Sequence, residues 1–247
     1  MEVKIKLIKN LNLKNPTLIQ GFAGAGLVGT ISALYLVEKL KMDFVGYVDS
    51  DKFPPIAAIH KGKPYFPARL YASKKHNLII LFSEFIIPTQ FVYPLAFEIY
   101  NFAKKYKIKK IISLGSIVKK DEIDYKSIYA VASTAALINE LEKQNIHVIK
   151  EGVTTGISSV LLSLGAIENF QVISLLPLSS DSAVDLMACL NLLFTLKNYL
   201  NIDLDLQDLE KDAAKMKEEM EKLAQKPKTA TELTAIKENL DQSSMYQ

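Results

Sequence analysis

The chain alternates short apolar runs with segments in which apolar positions recur every three or four residues. Met1 to Asn10 interleaves Lys with apolar residues and predicts a first β-strand, not a signal peptide. Asn15 to Val37 carries no charged residue, yet Pro16, Thr17, Gln20 and the glycines at 21, 24, 26 and 29 break it. It reads as a strand, a glycine-rich turn and a helix ending in Glu38-Lys39, and not as a membrane span. Met42 to Val48 and Ile56 to His60 predict strands; Gly62-Lys63-Pro64 is a turn, and Tyr65 to Tyr71 returns as the second arm of a hairpin. Asn77 to Ser83 is a buried strand. Pro88 opens a helix to about Lys105, and Lys109 to Leu114 follows as a strand, the proportions of a βαβ crossover. Ser127 to Val131 and Ile146 to Ile149 predict strands around a helix over Ala132 to Gln144. Ile157 to Gly165 is helical, Gln171 to Leu176 is an apolar strand, and Asp181 or Ser182 caps a helix through Tyr199. The alternation predicts an α/β fold in three layers, a largely parallel sheet with helices on both faces and one inserted hairpin.

Beyond Asn201 the period changes. Ile202, Leu206, Leu209, Ala213, Met216, Met220 and Leu223 form a heptad seam between Asp, Glu and Lys positions. One narrow apolar stripe suits packing on the chain's own core or on a neighbouring subunit. Lys226-Pro227 stops the helix. The expected organisation is a core over residues 1–200, a heptad helix over 201–225 and a flexible tail over 226–247. From Asp203 onward there are eleven acidic and seven basic residues, against 23 basic and 16 acidic before it. The tail is therefore an acidic surface joined to a basic body. A flexible tail of this length has a root-mean-square reach of roughly 25–30 Å.

Composition narrows the class. A chain of 247 residues can bury most of its apolar surface, and 49% hydrophobic residues with mean hydropathy +0.12 suggests that some of it is buried between subunits of a homo-oligomer. Net charge is +3, and no Lys/Arg run is interleaved with aromatics, which argues against a nucleic-acid groove. The one cysteine, Cys189, lies in an apolar run and reads as a buried small hydrophobe in a reducing cytoplasm.

Candidate chemistry is sparse. Gly24-Ala25-Gly26-Leu27-Val28-Gly29 has the form of a dinucleotide fingerprint between a strand and a helix, with Asp49 and Asp51 after the next strand. Phe53-Pro54-Pro55 and a hairpin then replace the second crossover helix, so the glycines read as a tight turn and a close helix-on-strand contact. A nucleotide- or nucleoside-binding enzyme or sensor built on this turn is the alternative reading. His60, His76 and His147 have no partner at metal-ligand spacing, and no nucleophile elbow is present. Ser83-Glu84 and Ser179-Ser180-Asp181 follow apolar strands, where a cleft with Glu84 and Asp181 is conceivable; such residues more often cap helices and close turns. No catalytic, cofactor or metal residue is assigned.

The runs Leu18 to Gly29, Val45-Gly46-Tyr47-Val48-Asp49-Ser50, Phe53-Pro54-Pro55, Ile59 to Pro64 and Pro67-Ala68-Arg69-Leu70-Tyr71 resemble, in order and spacing, the archaeal form of the proteasome-assembly-chaperone family. Lys110 to Gly115 and Gly152 to Gly156 fit it more loosely. The final Met245-Tyr246-Gln247 is similar to the hydrophobic-tyrosine-any-residue tails that dock into pockets between proteasome α-subunits. The resemblance implies a fold like purine nucleoside phosphorylases without their catalytic residues, a homo-oligomer (tetramer or pentamer), and a non-enzymatic partner of α-subunits acting through Met245, Tyr246 and Gln247. A terminal carboxylate, a rigid phenol and an adaptable thioether suit such a pocket. Met245 departs from the aliphatic residue usual before the tyrosine.

Overall fold

A computed structural model of the chain describes residues 3–120 and 122–225, with side chains in the last helix described to residue 216. The strands are β1 (Lys4–Leu7), β2 (Thr17–Gly21), β3 (Asp43–Asp49), β4 (Ala58–His60), β5 (Lys63–Tyr65), β6 (Ala68–Ser73), β7 (Leu78–Ser83), β8 (Lys110–Leu114), β9 (Ile117–Val118), β10 (Ile128–Ala132), β11 (His147–Val148) and β12 (Gln171–Ser179). The helices are α1 (Val28–Lys39), α2 (Thr89–Lys105), α3 (Ala135–Lys143), α4 (Ile157–Ile167), α5 (Leu186–Leu200) and α6 (Gln207–Gln225).

Ten strands form one sheet in the order β1-β3-β6-β7-β2-β8-β12-β10-β11, with β9 beside β12. The central ladder β7-β2-β8-β12 is parallel, and antiparallel pairs flank it at β1-β3-β6-β7 and β12-β10. The central strands are buried on both faces, which is why they read as continuous apolar runs. Alternate residues feed two cores. Ile19, Ile80, Phe82, Ile112 and Ile173 meet α1, α3, α5 and the start of α6; Leu18, Ile79, Leu81, Ile111 and Val172 meet α2 and α4. This is the expected three-layer architecture with helices on both faces.

Three local readings change. The inserted hairpin is only β4 and β5, a separate two-stranded sheet joined across Lys61 and Gly62, whose φ of 51° and 74° match a two-residue primed turn. Residues 68–71, expected as its second arm, belong to β6 in the main sheet, because their alternate side chains pack into the core. The last helix of the core starts later than expected. Its cap is Asp185, not Asp181 or Ser182: the buried carboxylate accepts from the Ala188 amide at 3.0 Å, from the Ser180 amide at 2.7 Å and hydroxyl at 2.9 Å, and from the Tyr125 hydroxyl at 3.1 Å. The third change is the heptad seam, whose first members Ile202 and Leu206 lie in a non-helical link. Asn201 closes α5 in the left-handed region (φ 49°), and the Ile202 amide donates to the Lys197 carbonyl at 3.1 Å. Helix resumes only at Gln207.

At the lower end of the sheet Lys110 is nearly buried and donates to Glu140 Oε1 at 2.8 Å and the Tyr199 hydroxyl at 2.5 Å, tying β8, α3 and α5. Burial, then the Glu140 carboxylate, pushes the Tyr199 hydroxyl upward from its ordinary pKa. Cys189 is fully buried against α1, and burial pushes its thiol up to about 12.

Two outcomes follow from this packing. Asp185→Ala strands buried donors from three elements and should cost about 3 kcal/mol, lowering Tm by roughly 6–12 °C; a change within 2 °C, by calorimetry, contradicts the cap. At pH 8 the native chain should resist maleimide at Cys189, reacting only as fast as it opens. Rapid stoichiometric labelling without denaturant contradicts its burial.

Candidate functional site

Two features stand apart from the packing just described: the helix that leads to the end of the chain, and a cleft over the carboxyl ends of the central strands. Met245, Tyr246 and Gln247, the expected docking residues, lie outside the described residues, as do the side chains of Met220 and Leu223. The helix before them is held at its start. Leu204, Leu206, Leu209 and Ala213 are buried against α5 and the surrounding core, and Met216 is half-buried. The first half of the seam thus packs on the chain's own core, one of its two expected partners.

Polar contacts fix the same junction. The Tyr35 hydroxyl donates to the Asp205 carbonyl at 2.9 Å, Lys39 meets Asp208 at 2.5 Å, and Lys197 Nζ donates to the Leu204 carbonyl at 2.9 Å. Asp205 Oδ1 accepts from the Gln207 amide at 3.0 Å and opens α6, and Asp208 and Glu210 lie in its first turn, where carboxylates suit the helix dipole. The hydrogen bond from Lys39 holds the Asp208 carboxyl below its ordinary pKa. Because the folded pKa is depressed, that contribution is present at neutral pH and fades as pH falls through the folded value. It is a solvent-exposed pair, and the buried Leu209 and Ala213 dominate the docking.

The cleft has a volume of about 780 Å³. Its floor is Gln20 and Ser113, register partners at the ends of β2 and β8; Ile87, Val92, Val131 and Leu176 supply apolar wall, and the segment 149–158 leading into α4 forms one side. Neither Glu84 nor Asp181 lines it. Glu84 Oε1 accepts from Arg69 Nη2 at 2.8 Å, with His60 Nε2 at 2.8 Å. Arg69 is buried, its guanidinium 5.2 Å from the Tyr65 ring and 5.0 Å from the Phe82 ring, so this group pins the hairpin to the sheet. Asp181 is exposed in the loop before Asp185. Ser83 closes a turn to Phe85, and Ser180 donates to Asp185. Among the described residues no group of three or more His, Cys, Asp and Glu could hold a metal.

The glycine turn is consumed mainly by packing. A Cβ at Gly21 would collide with the Gly29 carbonyl, and one at Gly29 would lie 2.6 Å from the Leu114 carbonyl. Gly26 takes φ +61° and its carbonyl accepts from the Asp185 amide at 3.0 Å. Gly24 differs: a Cβ there meets nothing within 4 Å, and the residue lines the cleft. Sequence spacing could not separate these roles, because the distinction depends on which strand end each glycine faces.

The family pattern of PAC2 matches residues 18–224, spanning the core and nearly all of α6. The chain belongs to the PAC2 family. It is similar to an uncharacterised protein, MJ0106, of Methanocaldococcus jannaschii, with 31% identity over 216 residues, 87% of this chain and 88% of that protein. Among solved structures it is similar to Pyrococcus furiosus PbaA, described as an archaeal homologue of proteasome-assembly chaperone, at 29% identity and TM-score 0.75, covering 89% of this chain and 96% of that one. Pyrococcus furiosus PbaB, described as an archaeal proteasome activator, shares the fold at 23% identity and TM-score 0.78, over 91% of this chain and 99% of that one. Among the described residues no helix is long and apolar enough to cross a membrane.

Leu209→Ala tests the anchoring of α6. Removing this buried side chain should cost about 2–4 kcal/mol of local docking, raising amide exchange over 207–216 well before the sheet. Exchange unchanged in that segment would show that α6 is held by other contacts.

Proposed function

We propose that the protein is a cytoplasmic proteasome partner that acts as a homo-oligomer, a tetramer or pentamer, and docks Met245, Tyr246 and Gln247 into pockets between α-subunits of the core particle. Residues 1–200 serve as the body, residues 201–225 as a helical stalk and residues 226–247 as the docking tail. The observation that carries the reading is the rooting of α6 on α5 through Leu209 and Ala213, in a chain of the PAC2 family that is similar to PbaA. A rooted stalk places the origin of each tail at a fixed point on the body. Several tails on one oligomer then bind by avidity: the first insertion raises the effective concentration of the next, so individually weak tripeptides suffice. The Met245 thioether makes each contact soft, the Tyr246 ring fills the pocket, and the terminal carboxylate pairs with a cation there.

Full-length protein should co-migrate with α-rings in native electrophoresis, and deletion of 245–247 or Tyr246→Ala should weaken binding at least a hundredfold, the scale of a lost multivalent contact. The variants should keep the fold and oligomer of the parent. Retained binding by the truncated protein overturns tail docking.

A further inference from the structure

The cleft carries a polar group that the fold leaves unused. Gln20 is 2% exposed and sits at the cleft floor, where its carboxamide bonds to Ser113. Its Oε1 has no hydrogen-bond partner among the described residues. An unmade bond at a buried amide costs free energy that a packed core normally avoids. Either orientation of the carboxamide leaves one polar atom for a second partner, because Ser113 occupies only one side.

One wall of the same cleft is the amino terminus of α4, a helix of 11 residues. It opens at Gly156, with φ +81° and no side-chain cap. The neighbouring hydroxyls are turned away from its first amides: Ser159 donates to the Gly156 carbonyl at 2.7 Å and Ser158 to the Thr155 carbonyl at 3.5 Å. Nothing lies within 4 Å of a Cβ built at Gly156. Orphan amides and the helix dipole there favour negative charge. The α1 terminus does not compete, since Gly29 is seated on the Leu114 carbonyl. Lys150 and Glu151, the charged residues lining the cleft, offset each other. Val153 stands 95% exposed at its rim, an apolar lip with nothing to cover. The volume is that of a small-molecule pocket.

The geometry points to a binding site for a small phosphate ester bearing an amine or amide donor. Its phosphate sits over the first turn of α4 and its donor on Gln20, while the aliphatic wall of Ile87, Val92 and Leu176 covers the body of the ligand. No bond is made or broken. The site holds a ligand and adds a small-molecule input to a protein-binding scaffold; it does not rest on tail docking.

The probes are AMP, which joins a phosphate to an amine donor, and inorganic phosphate. With the full chain, AMP should raise Tm in a concentration-dependent way, by roughly 5–11 °C at a hundredfold excess over its dissociation constant, and phosphate at the same concentration by less. Gly24→Leu fills the cleft where a Cβ is free and φ of −155° admits any residue. Val153→Glu sets a carboxylate at the rim without touching the core. Both should abolish the response, at unliganded Tm within 2 °C of the parent. Gln20→Met should keep the phosphate response and lose the extra shift from AMP. Protein lacking 245–247 should respond fully, which separates this site from the tail. No concentration-dependent rise with either probe, or equal rises in the parent and both blocking variants, overturns the site. Equal responses to AMP and phosphate in the parent overturn the role of Gln20.

Discussion

The close approach of α1 to the ends of β2 and β8 is the constraint on which the rest of the molecule depends. With hydrogen in place of side chains at Gly21 and Gly29, helix backbone rests against strand backbone, and a Cβ at Gly29 would stand 2.6 Å from the Leu114 carbonyl. Such contact sets the height of α1 above the sheet. Its outer side then receives α5, with Cys189 buried between them, and α5 in turn receives α6. The same helix supplies Tyr35 and Lys39 to the α6 junction. A displacement of α1 would therefore be passed through α5 to α6.

Asp185 is the second point of control, and it belongs to the same contact. Its carboxylate caps α5 and gathers Ser180 and Tyr125, while its amide donates to the Gly26 carbonyl in the glycine turn. The turn before α1 and the loop before α5 are thus locked to each other. The opposite side of the sheet is differently built. There α2 and α4 pack on the second core, and the cleft lies at the strand ends, bounded by the glycine turn, the start of α2 and the segment leading into α4.

The strands and helices were legible wherever burial imposed a period. β7, β8 and β12 are buried on both faces and appear as largely apolar runs, and α2 shows its stripe from Phe91 through Leu95 to Ile99 and Phe102. The two-residue β9 was not, being too short for any period, whereas β11 falls within the strand expected over Ile146 to Ile149. The extent of the hairpin was misjudged because Tyr65 to Tyr71 is apolar except for Arg69, and no local signal marks where it leaves one sheet for another. Asp185 was passed over in favour of Asp181 and Ser182, since several capping residues stand close together and only tertiary donors distinguish them. Of the site, Gly24 was in view as part of a motif, but Gln20 looked like an interruption of a strand. Its meaning depends on Ser113, 93 residues away, and on a cavity that no spacing reveals. Met245, Tyr246 and Gln247 lie outside the described residues, and the proposal for them rests on a motif of recognition, not of folding.

Cryo-electron microscopy of the full-length oligomer bound to an α-ring tests the central claim most directly. Tail docking predicts density for Met245, Tyr246 and Gln247 in the pockets between neighbouring α-subunits, with α6 standing between the ring and the α/β body. Empty pockets, with the α/β body itself pressed on the ring, would contradict it.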